Sequence, residues 1–147
     1  MLKKLIVAFM LIIPMGLCAQ QKFGHVNSAV IITLMPEYTT AQTELQSLEK
    51  QYTDEIKRME DELNKKGEEF EAQKATLPAN IAERRQNELQ ELYNRMQQYF
   101  QEGQQHMQKA SADKMEAIRA KLTAAIKEVG VAGGYVYIMD VAAGVPY

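Results

Sequence analysis

The sequence has no Trp, a single Cys and only four Pro. One Cys excludes a disulfide framework and any multi-cysteine metal site. Aromatic residues make up 7% of the chain, too few for a compact aromatic-rich core, so an elongated helical protein is expected. Neither sign of charge dominates: 17 basic residues stand against 19 acidic ones, for a net charge of -2. That balance excludes nucleic-acid binding through bulk positive charge. The two histidines, His25 and His106, lie in separate zones with no second ligand at regular spacing, so no metal site is expected. At 147 residues the chain has room for one domain. Its 46% apolar content includes a removable leader and many Ala and Met.

Residues 1–19 read as a secretory signal peptide. Lys3 and Lys4 form the positive start, Leu5 to Ile13 the apolar stretch, and Pro14-Met15-Gly16 breaks it before Leu17-Cys18-Ala19. A bilayer span needs roughly 20 apolar residues, and this run is far shorter. Cleavage after Ala19 is the preferred reading. The rival is a lipoprotein signal with Cys18 carrying lipid, but Leu17 stands where such signals ask for Gly, Ala or Ser. Cleavage after Ala19 leaves an exported chain without Cys. Without Lys3 and Lys4 it holds 15 basic and 19 acidic residues, net -4.

Residues 20–36 form the next zone. Lys22 to Val26 reads as a short strand, and Ala29-Val30-Ile31-Ile32 as part of a brief helix begun by Asn27 or Ser28, both good N-caps. Pro36 ends that piece and suits the first turn of a following helix, where Glu37 meets the positive end of the helix dipole.

Residues 37–129 carry the clearest signal. Apolar residues fall at Tyr38, Ala41, Leu45, Leu48, Tyr52, Ile56, Met59, Leu63 and Phe70. This is a heptad seam with one extra four-residue step at Leu48-Tyr52-Ile56, a stutter that relaxes the left-handed supercoil locally. A helix from Glu37 to Ala75 would span roughly 58 Å. The interruption is Thr76-Leu77-Pro78-Ala79-Asn80, where Pro78 stops one helix and starts the next. The seam resumes at Ile81, Leu89, Leu92, Met96 and Tyr99, and again at Met115, Ile118, Leu122, Ala125, Ile126 and Val129. Gly103 to Ala110 is polar apart from Met107, so packing is expected to be weakest there.

So narrow a stripe cannot be buried in a globule. The two segments either fold back as an antiparallel hairpin with its tip near 76–80 or extend as one rod. Charge favours the hairpin: Glu37 to Thr76 is net -5 and Leu77 to Val129 net +1. Exposed pairs contribute little each, so the complementarity is modest.

Residues 130–147 open with Gly130-Val131-Ala132-Gly133-Gly134, read as a helix cap. Tyr135-Val136-Tyr137-Ile138-Met139 is a β-rich run, and Asp140 to Gly144 a turn into Val145-Pro146-Tyr147. The sequence stops about where a partner strand is expected, which suggests C-terminal truncation or a very short last strand. The glycines follow a helix and precede a strand, the reverse of a phosphate loop. Acidic runs such as Glu60-Asp61-Glu62 point around a helix and converge on no pocket. Ser28, Ser47 and Ser111 lie in no nucleophile setting. No catalytic, cofactor or metal residues are expected. Tyr38, Tyr52 and Tyr99 fit the seam, as do the methionines, whereas Tyr93 and Phe100 fall beside it and suit external contacts. Met107 is soft and adaptable enough to join them.

The order Lys22-Phe23-Gly24-His25-Val26-Asn27-Ser28, an apolar short helix, then Met35-Pro36-Glu37-Tyr38 opening a long hairpin resembles the Skp/OmpH family of periplasmic chaperones. Arg85-Gln86-Asn87-Glu88-Leu89-Gln90 after the tip agrees, as does Ala125-Ile126-Lys127-Glu128-Val129 before the glycines and Tyr135 to Asp140. The resemblance covers essentially the whole chain after the leader. It implies a mostly α fold with a small β part: a long antiparallel coiled-coil hairpin, or tentacle, on a small β body formed on trimerisation. It implies that Phe23, Val26, Tyr135, Val136 and Ile138 build the trimer body, with Ile31, Ile32 and Leu34 packing the short helix beneath. It also implies an ATP-independent holdase for unfolded outer-membrane proteins, with Tyr93, Phe100 and Met107 as client-facing candidates. Two departures stand out. Well-known members are basic, whereas this chain after its leader is acidic, which argues against contact with lipopolysaccharide or an anionic membrane. The family's short C-terminal segment is also missing. The alternative function is a structural coiled-coil spacer of the cell envelope.

Overall fold

The computed structural model describes residues 21–143, so the leader reading and the segment 144–147 lie outside it. Strand β1 (Lys22–Val26) leads into helix α1 (Ser28–Leu34). Helix α2 (Pro36–Gln73) and helix α3 (Ala79–Gly133) follow, then strand β2 (Tyr135–Asp140) and a single 3-10 turn at Val141–Ala143. The chain divides into two compact units, residues 32–120 and, from the two ends, residues up to 31 with those from 121 onward.

In the first unit, α2 and α3 run antiparallel. Glu44 pairs with Lys114, Tyr52 meets His106 and Tyr99, and Phe70 lines a small cleft with Arg85 and Leu89. As numbers rise along α2, those of its partners fall along α3. Every α2 residue of the expected seam is shielded: Ala41, Met59 and Phe70 are buried and the other six half-buried. On α3, Leu92 and Ile118 are buried, and Ile81, Leu89, Met96, Tyr99 and Met115 half-buried.

In the polar middle of α3 one position, Gly103, departs from expectation. Gly103 is buried, and a Cβ placed on it would lie 2.8 Å from the Tyr52 ring. A missing side chain there lets a large ring sit against the backbone, so the seam is filled from the α2 side. Tyr52 Oη also lies 2.8 Å from His106 Nδ1, in a hydrogen bond. The same register places Met59 level with Met96 and Leu63 level with Leu92, since each pair is displaced equally from Tyr52 and Gly103.

Residues 74–78 reverse the chain. The N–H groups of Thr76 and Leu77 and the Thr76 hydroxyl donate to the Gln73 carbonyl, at 2.9, 3.1 and 2.9 Å. The Pro78 carbonyl accepts from Ile81 and Ala82, both at 2.9 Å, and begins α3. Pro36 occupies the start of α2, where its missing N–H costs nothing.

In the second unit, β1 and β2 pair in parallel, with Phe23 opposite Tyr137, Gly24 opposite Ile138 and His25 opposite Met139. The register slips between Lys22 and Phe23, leaving Val136 as the extra residue of a bulge. The slip puts Tyr135 and Ile138 on one face despite their odd spacing. Gly24 lies next to both, 3.1 Å from the Tyr135 ring if given a Cβ.

Helix α3 continues through Gly130 and Gly133 and ends just before the last residue of the cap expected over 130–134. Only Gly134 takes the left-handed conformation, φ +65, that ends the helix. The Lys22 ammonium donates to the Gly133 carbonyl at 3.1 Å, a cation at the negative end of the helix dipole. The two helical glycines are contact points. A Cβ on Gly130 would lie 3.2 Å from Ile138, and one on Gly133 would lie 2.4 Å from the Tyr135 ring. The last turns of α3 therefore serve the strands. Ile126 is half-buried, but Ala125 and Val129, expected in the seam, point away and are exposed. Leu34, expected to pack the short helix, is 78% exposed, because the turn at Met35-Pro36 leaves the end of α1 uncovered.

Candidate functional site

Two exposed apolar surfaces stand out, one on each unit. On the sheet, the Phe23 and Tyr137 rings stack at 6.3 Å between centroids and 6° between planes. They are 56% and 67% exposed, and Met139 beside them is exposed as well. Both side chains come from parallel register partners, which project to the same side of a sheet. A two-stranded parallel sheet with an open aromatic face is unusual, since parallel sheets are ordinarily covered on both faces and two strands alone are marginal.

Of the residues expected to build a body, Phe23 and Val136 are exposed, Tyr135 is exposed at its rim over Gly133, and Val26 is half-buried. Ile138 is half-buried against Gly130 of its own chain. Tyr137 was not among those residues. The alternation Tyr135, Tyr137, Met139 pointed to it, but the bulge decides which of the three shares a face with Phe23.

Asp140 fixes the end of this sheet. Its carboxylate accepts the N–H groups of Ser28 and Ala142, each at 3.0 Å, and so starts α1 from the far end of the sequence. Hydrogen bonds from the Ser28 side chain and backbone, then from Ala142, hold its pKa below the ordinary carboxylate value. Asn27 Oδ1 accepts from the Val30 N–H at 3.2 Å and caps the same helix.

On the hairpin, Phe100 and Met107 line a groove of about 490 Å³ together with Tyr52, Ile56 and Gly103, rimmed by Glu49, Thr53, Gln104 and Gln108. Phe100 is 45% exposed. Tyr93 is also exposed but is not part of this groove. The Tyr52 and Tyr99 rings pack at 5.4 Å beside it. Desolvation first, and then the Glu55 charge, push the Tyr99 phenol above its usual range. The groove lies at the Leu48-Tyr52-Ile56 stutter. Gly103 fell in phase with Leu92, Met96 and Tyr99, a signal that counting only large apolar residues misses.

Among the described residues no group of three or more His, Cys, Asp or Glu could hold a metal ion. No described helix is long and apolar enough to cross a membrane. The chain is mostly helical, with two long antiparallel helices and a small two-stranded parallel sheet. The profile of the Outer membrane protein (OmpH-like) family matches residues 22–147, and the chain belongs to that family. No curated protein gives a significant match of its own. Membership supports a chaperone-type role toward outer-membrane proteins in general terms.

Proposed function

We propose that this protein is an ATP-independent periplasmic holdase that binds unfolded outer-membrane proteins and prevents their aggregation, working as a homotrimer. The observation that carries the reading is the family match over residues 22–147. The physical properties of the chain agree with it. The Phe23–Tyr137 face is apolar surface that a further copy would cover, and among the described residues the sheet has two strands, each paired along one edge. The number three follows from the family resemblance. The hairpin is a thin arm with many Gln, scattered Met and Tyr, and short open grooves. Client contact is therefore multivalent and weak at each point, with avidity set by confinement between arms. A client held in this way stays mobile.

The test is native mass spectrometry with and without an unfolded β-barrel protein, combined with an aggregation assay. The full chain is expected as a trimer that captures one client. A variant with Lys57 to Met96 exchanged for a short turn keeps the strands and shortens the arms. It should still assemble but lose most aggregation suppression. Undiminished suppression moves the client site to the sheet unit, and no capture by the full chain favours a structural spacer.

A further inference from the structure

The groove beside Tyr52 has a chemistry of its own. Its apolar walls come from Ile56, Phe100 and Met107, and its open space adjoins the place where Gly103 brings the Tyr52 ring against the α3 backbone. The rim carries the amides of Gln104 and Gln108 and the Thr53 hydroxyl, which donate and accept hydrogen bonds. An unpaired, extended backbone needs both.

Glu49 is the one ionised side chain lining the groove. It has no ion-pair partner among the described residues, although charged neighbours do. Lys50 is held by Asp54 at 2.5 Å, and Arg58 by Glu55 in two hydrogen bonds. Lys50 and Arg58 are thus engaged one turn along their own helix, and Glu49 pairs with neither of them. The net -5 charge of residues 37–76 adds to the same field.

Resting on the reading of the arm as the part that holds unfolded chain, we infer that this groove is a subsite for an extended polypeptide segment in which an aromatic or large aliphatic side chain stands next to Lys or Arg. The apolar side chain enters between Ile56, Phe100 and Met107, and the neighbouring cation meets Glu49. The arm then selects among segments of an unfolded client by local sequence as well as by exposure.

The test uses the full chain and two fluorescent ten-residue peptides that differ only in the residues flanking a central Phe, Lys in one and Glu in the other. Anisotropy should give the Lys peptide about two- to fivefold tighter binding at low salt, the size of an exposed charge pair. Roughly 0.5 M salt should erase the difference, because screening acts within a few Å. Glu49→Gln should bring the two peptides together, and Glu49→Lys should invert their order. Phe100→Ser should weaken both about tenfold. Both positions are exposed, so helicity by circular dichroism should stay unchanged. Equal binding of the two peptides, or a preference that survives Glu49→Gln, overturns the assignment. So does a change of oligomer mass in Phe100→Ser, which would make the groove a contact between copies. Aggregation suppression without peptide selectivity sinks the subsite and leaves the chaperone reading standing. Selective peptide binding without suppression does the reverse.

Discussion

The hairpin and the sheet solve the same problem, a shortage of large apolar residues, in opposite ways. The hairpin aligns most of its few apolar side chains in one seam and shields that seam within the chain: Ala41, Met59, Phe70, Leu92 and Ile118 are buried, whereas Tyr93 and Phe100 stay exposed beside it. The sheet closes one face only, with Ile138 and Tyr135 against the glycines of α3. On the other side Phe23, Tyr137 and Met139 remain open. A helix satisfies its own backbone hydrogen bonds, so two of them make a self-sufficient pair. A two-stranded sheet has unpaired edges and a bare face, and completes itself only by adding strands. The difference separates what the described residues stabilise among themselves from the surface they leave open.

The largest effect should come from the open face. Tyr137→Asp places a charge among the stacked rings and should convert the assembly to monomer in sedimentation velocity, with helicity retained. Ile138→Asp should dissociate it too, but should also abolish protection of the strand amides in hydrogen exchange, because Ile138 packs on Gly130 of its own chain. An assembly unaffected by Tyr137→Asp would mean that the aromatic face is not the contact between copies.

Next come two glycines of the hairpin. Gly103→Ala gains about 1 kcal/mol of helix propensity but meets the Tyr52 ring, an overpacking that costs about 1–3 kcal/mol. Thermal unfolding should show a net loss of up to about 2 kcal/mol. Gly67 has open space around it, so Gly67→Ala should stabilise by about 1 kcal/mol. Stabilisation by both would remove the close approach at Gly103.

The sheet unit should respond to acid through Asp140. Its carboxyl pKa is depressed below 3.8 in the folded chain, so the charged form favours folding. That contribution is present above the unfolded value and is lost as pH falls through the folded one. Amide exchange at Ser28 and Ala142 should therefore accelerate below about pH 3.8, and Asp140→Asn should flatten the profile. Equal acid sensitivity in the two proteins would assign the loss to other groups. The smallest effect is Lys114→Ala, which removes the exposed ion pair to Glu44 and should cost about 0–1 kcal/mol in thermal unfolding.

Much of the hairpin was legible because helix packing is periodic. The positions from Tyr38 to Phe70 follow the 3.5-residue rhythm of a two-helix seam, and each of them is buried or half-buried against α3. Pro36 and Pro78 mark helix starts for an equally local reason, the fixed φ and missing N–H. The polar stretch around Gly103 misled, since a glycine reads as an absence in one helix yet receives a ring from the other. The glycines at 130 and 133 misled in the same way. They read as a helix end, but only Gly134 needs the left-handed conformation, and the other two are sites of close contact.

Sequence by itself determined the two long helices, the break between them and the identity of the strands, because these rest on spacing, capping and backbone stereochemistry within a few residues. Tertiary structure alone decided the bulge at Val136, the pairing of Tyr137 with Phe23, the capping of α1 by Asp140 from the far end of the sequence, and the groove beside Tyr52. Each of these depends on residues far apart in sequence meeting at a particular register, and register is set by packing, which no local pattern encodes.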